Sequence, residues 1–134
     1  SDFISLYPSE NQEISMKAII FVLVLVASFS SFAATSKQIN SASQKLFLKS
    51  LPSLELQSAE GIPRDQMIAH MNLKYTKLST SCAYDAGDSL YNCTTAAING
   101  RSEMALFFNY QLEGKKGKIP TEFVFLTVIV NAAG

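Results

Sequence analysis

The chain has 134 residues, with 11 basic and 11 acidic side chains, one His, two Cys and no Trp. That length fits one domain. An apolar fraction of 48% against 16% charged excludes a disordered chain, and the zero net charge excludes a dedicated nucleic-acid binder.

The first apolar concentration follows Met16. Lys17 precedes an uncharged run over residues 18–27, which gives way to the small residues Ser30, Ser31, Ala33 and Ala34. This is the order of a secretory signal peptide. Ser31 and Ala33 fit the small positions before a cut, which predicts cleavage between Ala33 and Ala34. The rival reading is a membrane anchor, but a spanning helix wants about 20 apolar residues and the strongly apolar core here is shorter. No Cys follows it to carry a lipid. The expected organisation is an upstream leader over 1–15, outside the fold, a signal peptide over 16–33, and a single mature domain over 34–134.

Removing 1–33 takes away Lys17 against Asp2, Glu10 and Glu13, so the remainder has two more bases than acids. That is no electrostatic footprint for DNA or a membrane surface. The two cysteines form an even pair in an exported protein, which predicts a Cys82–Cys93 disulfide. Two Cys and one His fall short of a structural zinc site.

A helix is predicted over 37–48, capped by Thr35 or Ser36, with Ile39, Ala42, Leu46 and Lys49 on one face. Pro52 ends it. Residues 51–62 read as loop, and 63–70 as a short helix with Pro63 in its first turn. From Met71 the hydrophobic period becomes two, giving strands over 71–85, 89–98, 103–113 and 121–131. A parity change in the first strand predicts a bulge near Thr76 and Lys77.

Two turns set the register. Asn99-Gly100 reads as a two-residue type I′ hairpin pairing Ile98 with Arg101, which puts Cys93 opposite Leu106. The cysteines, placed opposite each other, put Tyr84 opposite Tyr91 with a loop over 86–89. A four-residue loop makes them a non-hydrogen-bonded pair, where side chains approach most closely. Leu78, Cys82, Tyr84, Tyr91, Cys93, Met104, Leu106 and Phe108 then share one face, joined by Phe123, Phe125 and Ile129. The expected fold is α+β: an N-terminal helix packed on a four-stranded antiparallel meander with one hairpin disulfide. This order resembles cystatin-type folds in architecture. The chain lacks the Gln-Val-Val-Ala-Gly loop and the Pro-Trp hairpin that carry cystatin inhibition, so the resemblance implies no inhibitory function.

The last strand is apolar on both sides. Val124, Leu126, Val128 and Val130 join Phe107 on the face away from the helix, and in a simple meander this strand is also an edge. Such an edge invites pairing unless something covers it. Either the segment over 51–68 folds across that face, or the sheet curls and closes, or a partner binds there.

Other chemistry is sparse. His70 is the only candidate acid/base, and no nucleophile-elbow motif accompanies it. Met67, His70 and Met71 are the residues that would hold a soft ion such as Cu(I), although Met more often fills cores. No cofactor is predicted. Lys115, Lys116 and Lys118 read as a solvated hairpin tip, and Asn92-Cys93-Thr94 matches the glycosylation tripeptide. The expected function is a small exported binding or interaction protein, periplasmic or secreted. Its surface would be Phe107, Val124, Leu126, Val128 and Val130, and its partner a protein, a peptide or a second copy. The alternative is an exported enzyme with His70 in a site between the front helical segment and the sheet.

Overall fold

The computed structural model describes residues 33–101 and 104–133. The leader and nearly all of the signal segment read from the sequence lie outside them. Chain contacts separate Ser1–Ala33 from Ala34–Gly134, and every element below belongs to the second unit. Among the described residues, no helix is long and apolar enough to cross a membrane.

Helix α1 (Ser36–Ser50) starts at a capping box. Gln38 N donates to Thr35 Oγ1 at 3.2 Å, and Thr35 N donates to Gln38 Oε1 at 2.9 Å. These bonds satisfy two of the amide donors that a helix start leaves orphaned. Ile39, Ser43 and Phe47 form its buried stripe, rotated from the predicted Ile39–Ala42–Leu46 face. A 3-10 turn at Leu51–Ser53 contains Pro52 and ends the helical run. Strand β1 (Glu55–Ser58) comes next, in the stretch expected to be loop. Helix α2 (Arg64–His70) follows Pro63, close to prediction. The Arg64 guanidinium donates to the carbonyls of Leu51, Pro52 and Leu54, tying α2 to the 3-10 turn.

The remaining strands are β2 (Thr76–Asp85), β3 (Leu90–Asn99), β4 (Ala105–Glu113), β5 (Glu122–Phe123) and β6 (Thr127–Ala133). The fold is α+β, but the sheet has six strands and is mixed, not a four-stranded antiparallel meander. Its order is β1-β6-β4-β3-β2, with β5 also on β4. β1 pairs parallel to β6, placing Leu56 beside Val128.

The β2–β3 hairpin forms as predicted. Cys82 pairs with Cys93, and Tyr84 with Tyr91, across a loop over 86–89. Asp85 Oδ1 accepts from Gly87 N and Asp88 N, and Ser89 takes a positive φ of 54° to complete the turn. The Cys82–Cys93 disulfide is present, with Cα atoms 4.1 Å apart. That is the close spacing of a non-hydrogen-bonded pair. Cys82 N accordingly points away from β3, and it donates to Asn40 Oδ1 of α1 at 3.0 Å. Asn40 thereby occupies part of an open sheet edge.

Three expectations are corrected. The Asn99-Gly100 turn is not a type I′ hairpin, because neither residue has the positive φ that turn demands. Both are held by the stretch from the end of α2 to the residue before β2: Asn99 Nδ2 donates to His70 O, and Gly100 N donates to Tyr75 O. The β3–β4 register moves by four residues, pairing Cys93 with Tyr110 and Ile98 with Ala105. An even shift keeps each side chain on its predicted face. The bulge at Thr76-Lys77 is absent because β2 begins at Thr76; Met71 caps α2 and residues 72–75 are turn.

The third correction concerns the last strand. Leu112 pairs with Phe123, and Phe108 with Val130. Four steps along β4 are matched by seven along β5 and β6. The three extra residues form a kink at Val124-Phe125-Leu126. An odd insertion reverses the facing of everything after it. Phe123 faces α1 as predicted, with its ring 5.6 Å from Tyr110. Beyond the kink Val128 and Val130 turn into the core at 0% exposure, while Phe125 and Ile129 are exposed. The core centres on Phe47, which stacks on Tyr110 at 4.8 Å and meets Phe108 at 5.4 Å.

Candidate functional site

The face of the sheet opposite α1 carries a groove of about 620 Å³. Alternation along the strands dictates its floor. Asn92 and Thr94 of β3 and Asn109 and Gln111 of β4 point away from the core, because Tyr91, Cys93, Phe108, Tyr110 and Leu112 point into it. Its wall comes from the kink and β6: Phe125, Thr127 and Ile129.

Floor residues pair across the strands. Asn92 lies opposite Gln111, and Gln111 Nε2 donates to Asn92 Oδ1 at 2.9 Å. Thr94 lies opposite Asn109, and its Oγ1 donates to Asn109 Oδ1 at 2.8 Å. Asn109 Nδ2 donates to Ile129 O at 3.0 Å and to Phe107 O at 3.3 Å. The wall ends at Thr127, whose Oγ1 donates to Glu55 Oε1 of β1 at 3.3 Å. A smaller recess of about 460 Å³ lies by the β2–β3 loop, between Asp88 and Ser89 on one side and Glu113, Lys115 and Val124 on the other.

The sequence-predicted surface is only partly here. Phe107 is half-buried on this face, next to Ala96 and Asn131. Val124 is half-buried in the kink, where its N–H donates to Gln111 O at 2.9 Å, and Leu126 is exposed. Val128 and Val130 leave the surface altogether, for the parity reason given above. β6 is not an edge either, since β1 pairs with it. The segment containing β1 thus extends the sheet sideways and does not fold across its back.

His70 is buried at the end of α2, and its Nε2 donates to Ala97 O at 3.0 Å. Its own carbonyl accepts from Thr76 Oγ1 at 2.6 Å and Asn99 Nδ2 at 3.2 Å. This His fastens α2 to β2 and β3. Met67 and Met71 are core side chains beside it. Among the described residues, no group of three His, Cys, Asp or Glu is arranged to hold a metal. Lys115, Lys116 and Lys118 are exposed, in a loop held by Tyr91. Tyr91 Oη donates to Lys115 O at 3.2 Å and accepts from Gly117 N at 2.8 Å.

A second polar row lies beneath α1. Gln44 Nε2 donates to Thr80 Oγ1 at 3.1 Å; Thr80 and Thr95 hydroxyls meet at 2.8 Å, and Thr95 and Tyr110 hydroxyls at 2.7 Å. Burial pushes the Tyr110 hydroxyl pKa up, and the Thr hydroxyl bonds only partly offset it. These groups satisfy one another inside the core, while Ser43 Oγ is buried with no hydrogen-bond partner among the described residues.

No family model, curated protein or solved structure matches this chain.

The amide pairs of the groove floor were not read from the sequence. Their signal was present in the alternation, which put Asn92, Thr94, Asn109 and Gln111 on polar positions. The type I′ register would have set Asn92 opposite Phe107. The four-residue shift brings Gln111 there instead.

Proposed function

We propose that this protein is a small exported binding protein, secreted or periplasmic, whose ligand seats in the groove on the back of the sheet. The carrying observation is the groove itself. It combines an ordered polar floor with an exposed aromatic and aliphatic wall, the composition of a ligand site. Export is supported by the Cys82–Cys93 disulfide, which suits an oxidising compartment, and by the signal-like segment before Ala34. Burial of His70, with Nε2 held by the Ala97 carbonyl, supports the binding reading over the enzyme alternative.

Amide spectra of the isotopically labelled exported protein, titrated with a library of small uncharged organic fragments, test the binding site. The reading expects shifts to converge on Asn92, Asn109, Gln111 and Ile129. Fragments that bind nowhere, or that converge around His70, overturn it.

A further inference from the structure

We propose that the groove binds a neutral oligosaccharide chain, an inference that rests on the groove being the binding site. Three features narrow the ligand class. The first is charge. The groove's lining includes no Asp, Glu, Lys, Arg or His; the Glu55 carboxylate beyond the end of the wall accepts from the Thr127 hydroxyl, and the Tyr110 hydroxyl points inward to Thr95. Among these lining residues a phosphate, carboxylate or ammonium group would find no counter-charge, and burying an uncompensated charge is costly.

The second feature is the hydrogen-bonding character of the floor. The Gln111–Asn92 bond uses one Gln111 Nε2 hydrogen and one Asn92 Oδ1 lone pair. Asn92 Nδ2 keeps its donors, and Gln111 keeps its carbonyl oxygen and a second N–H. The floor thus offers donors and acceptors side by side. Hydroxyl groups, which both donate and accept, match such a surface. Cross-strand pairing and the ties of Asn109 to Ile129 O and Phe107 O fix these amides before any ligand arrives, which lowers the ordering cost of binding.

The third feature is the wall. Phe125 is 62% exposed and Ile129 44%, both facing the polar floor across the groove. An aromatic face beside amides suits a ligand that is polar at its rim and apolar on its C–H faces, as a pyranose is. An extended peptide is a poorer fit. It would add to a sheet edge through backbone bonds, and the backbones of β3 and β4 are already paired on both sides. A second copy fits less well, since stable homodimer interfaces are mostly apolar at their centre, and this centre is amide and hydroxyl.

The test titrates the exported protein with cellohexaose, maltohexaose and hexa-N-acetylchitohexaose, with a glycine-serine hexapeptide blocked at both ends for comparison. Side-chain amide signals of Asn92 and Gln111 report binding. The expected result is saturable shifts with at least one of the sugars, weakened roughly tenfold or more by Phe125→Ala, and also by Asn92→Ala. Both residues are exposed, and circular dichroism checks that each variant remains folded. The proposal is overturned if none of the sugars shifts these signals, if the peptide alone does, if Phe125→Ala leaves sugar affinity unchanged, or if light scattering shows a dimer that buries them. Fragments binding the groove without any sugar binding would leave the function reading standing and remove only this inference.

Discussion

Tyr110 joins the core under α1 to the groove. Its ring stacks on Phe47 under α1, and its hydroxyl ends the buried row that runs from Gln44 through Thr80 and Thr95. Burial raises its pKa because the phenolate would lose its hydration. In the unfolded chain a Tyr loses its proton near pH 10, while the folded protein still holds it. Above that pH the unfolded state binds fewer protons, so stability falls as pH rises. At neutral pH the group is protonated in both states, so its ionisation adds no pH dependence there. Tyr110→Phe is expected to cost about 1 kcal/mol at neutral pH, since Thr95 keeps Thr80 as a partner. The variant should also lose stability less steeply than the wild type as pH rises above about 10. Urea midpoints measured across that range check both effects; parallel pH profiles would show that Tyr110 ionises equally in both states.

At the scale of the element, the decisive event is the kink at Val124-Phe125-Leu126. From the sequence, residues 122–130 are one strand with two apolar faces, and nothing in the alternation says which face is inside. Tertiary pairing decides it: β5 and β6 both pair with β4, three residues out of step. Other elements were legible because their determinants are local. Thr35 as a cap, the helix before Pro52, the short helix after Pro63 and the Cys82–Cys93 register are all local, set by a cap, a proline or a tight turn. β1 was not legible, because Leu56 is its one inward apolar residue and its partner lies at the far end of the chain. The groove floor depended on a register that long-range contacts moved. A pair of substitutions tests the reversal. Val128→Lys is expected to prevent folding, because it buries an unpaired ammonium in a site with 0% exposure. Ile129→Lys, one residue on, is expected to change stability by no more than about 0.5 kcal/mol. Thermal melts followed by circular dichroism decide between this facing and the unbroken strand, which expects the opposite order.

For the whole molecule, the question is how a small domain holds its ends together. The sheet is completed by long-range pairing: β1, near the start of the folded unit, lies beside β6 at its end. The disulfide instead joins strands already adjacent in sequence, with a separation of 11 residues. Its effect is therefore on the unfolded chain, where closing so short a loop removes entropy worth about 3 kcal/mol. Total stability for a domain of this kind is about 5–15 kcal/mol. The bridge is thus a large share of the margin without specifying the fold, since Asn40, the Thr80–Thr95 contact and the hairpin loop hold the same register by other means. Replacing both Cys82 and Cys93 with Ala is expected to leave a folded protein with the same far-ultraviolet spectrum. Its unfolding free energy in urea should fall by about 3 kcal/mol. A variant that fails to fold would mean that the bridge sets the β2–β3 register itself. A loss well under about 1 kcal/mol would mean that the unfolded chain already keeps the hairpin closed.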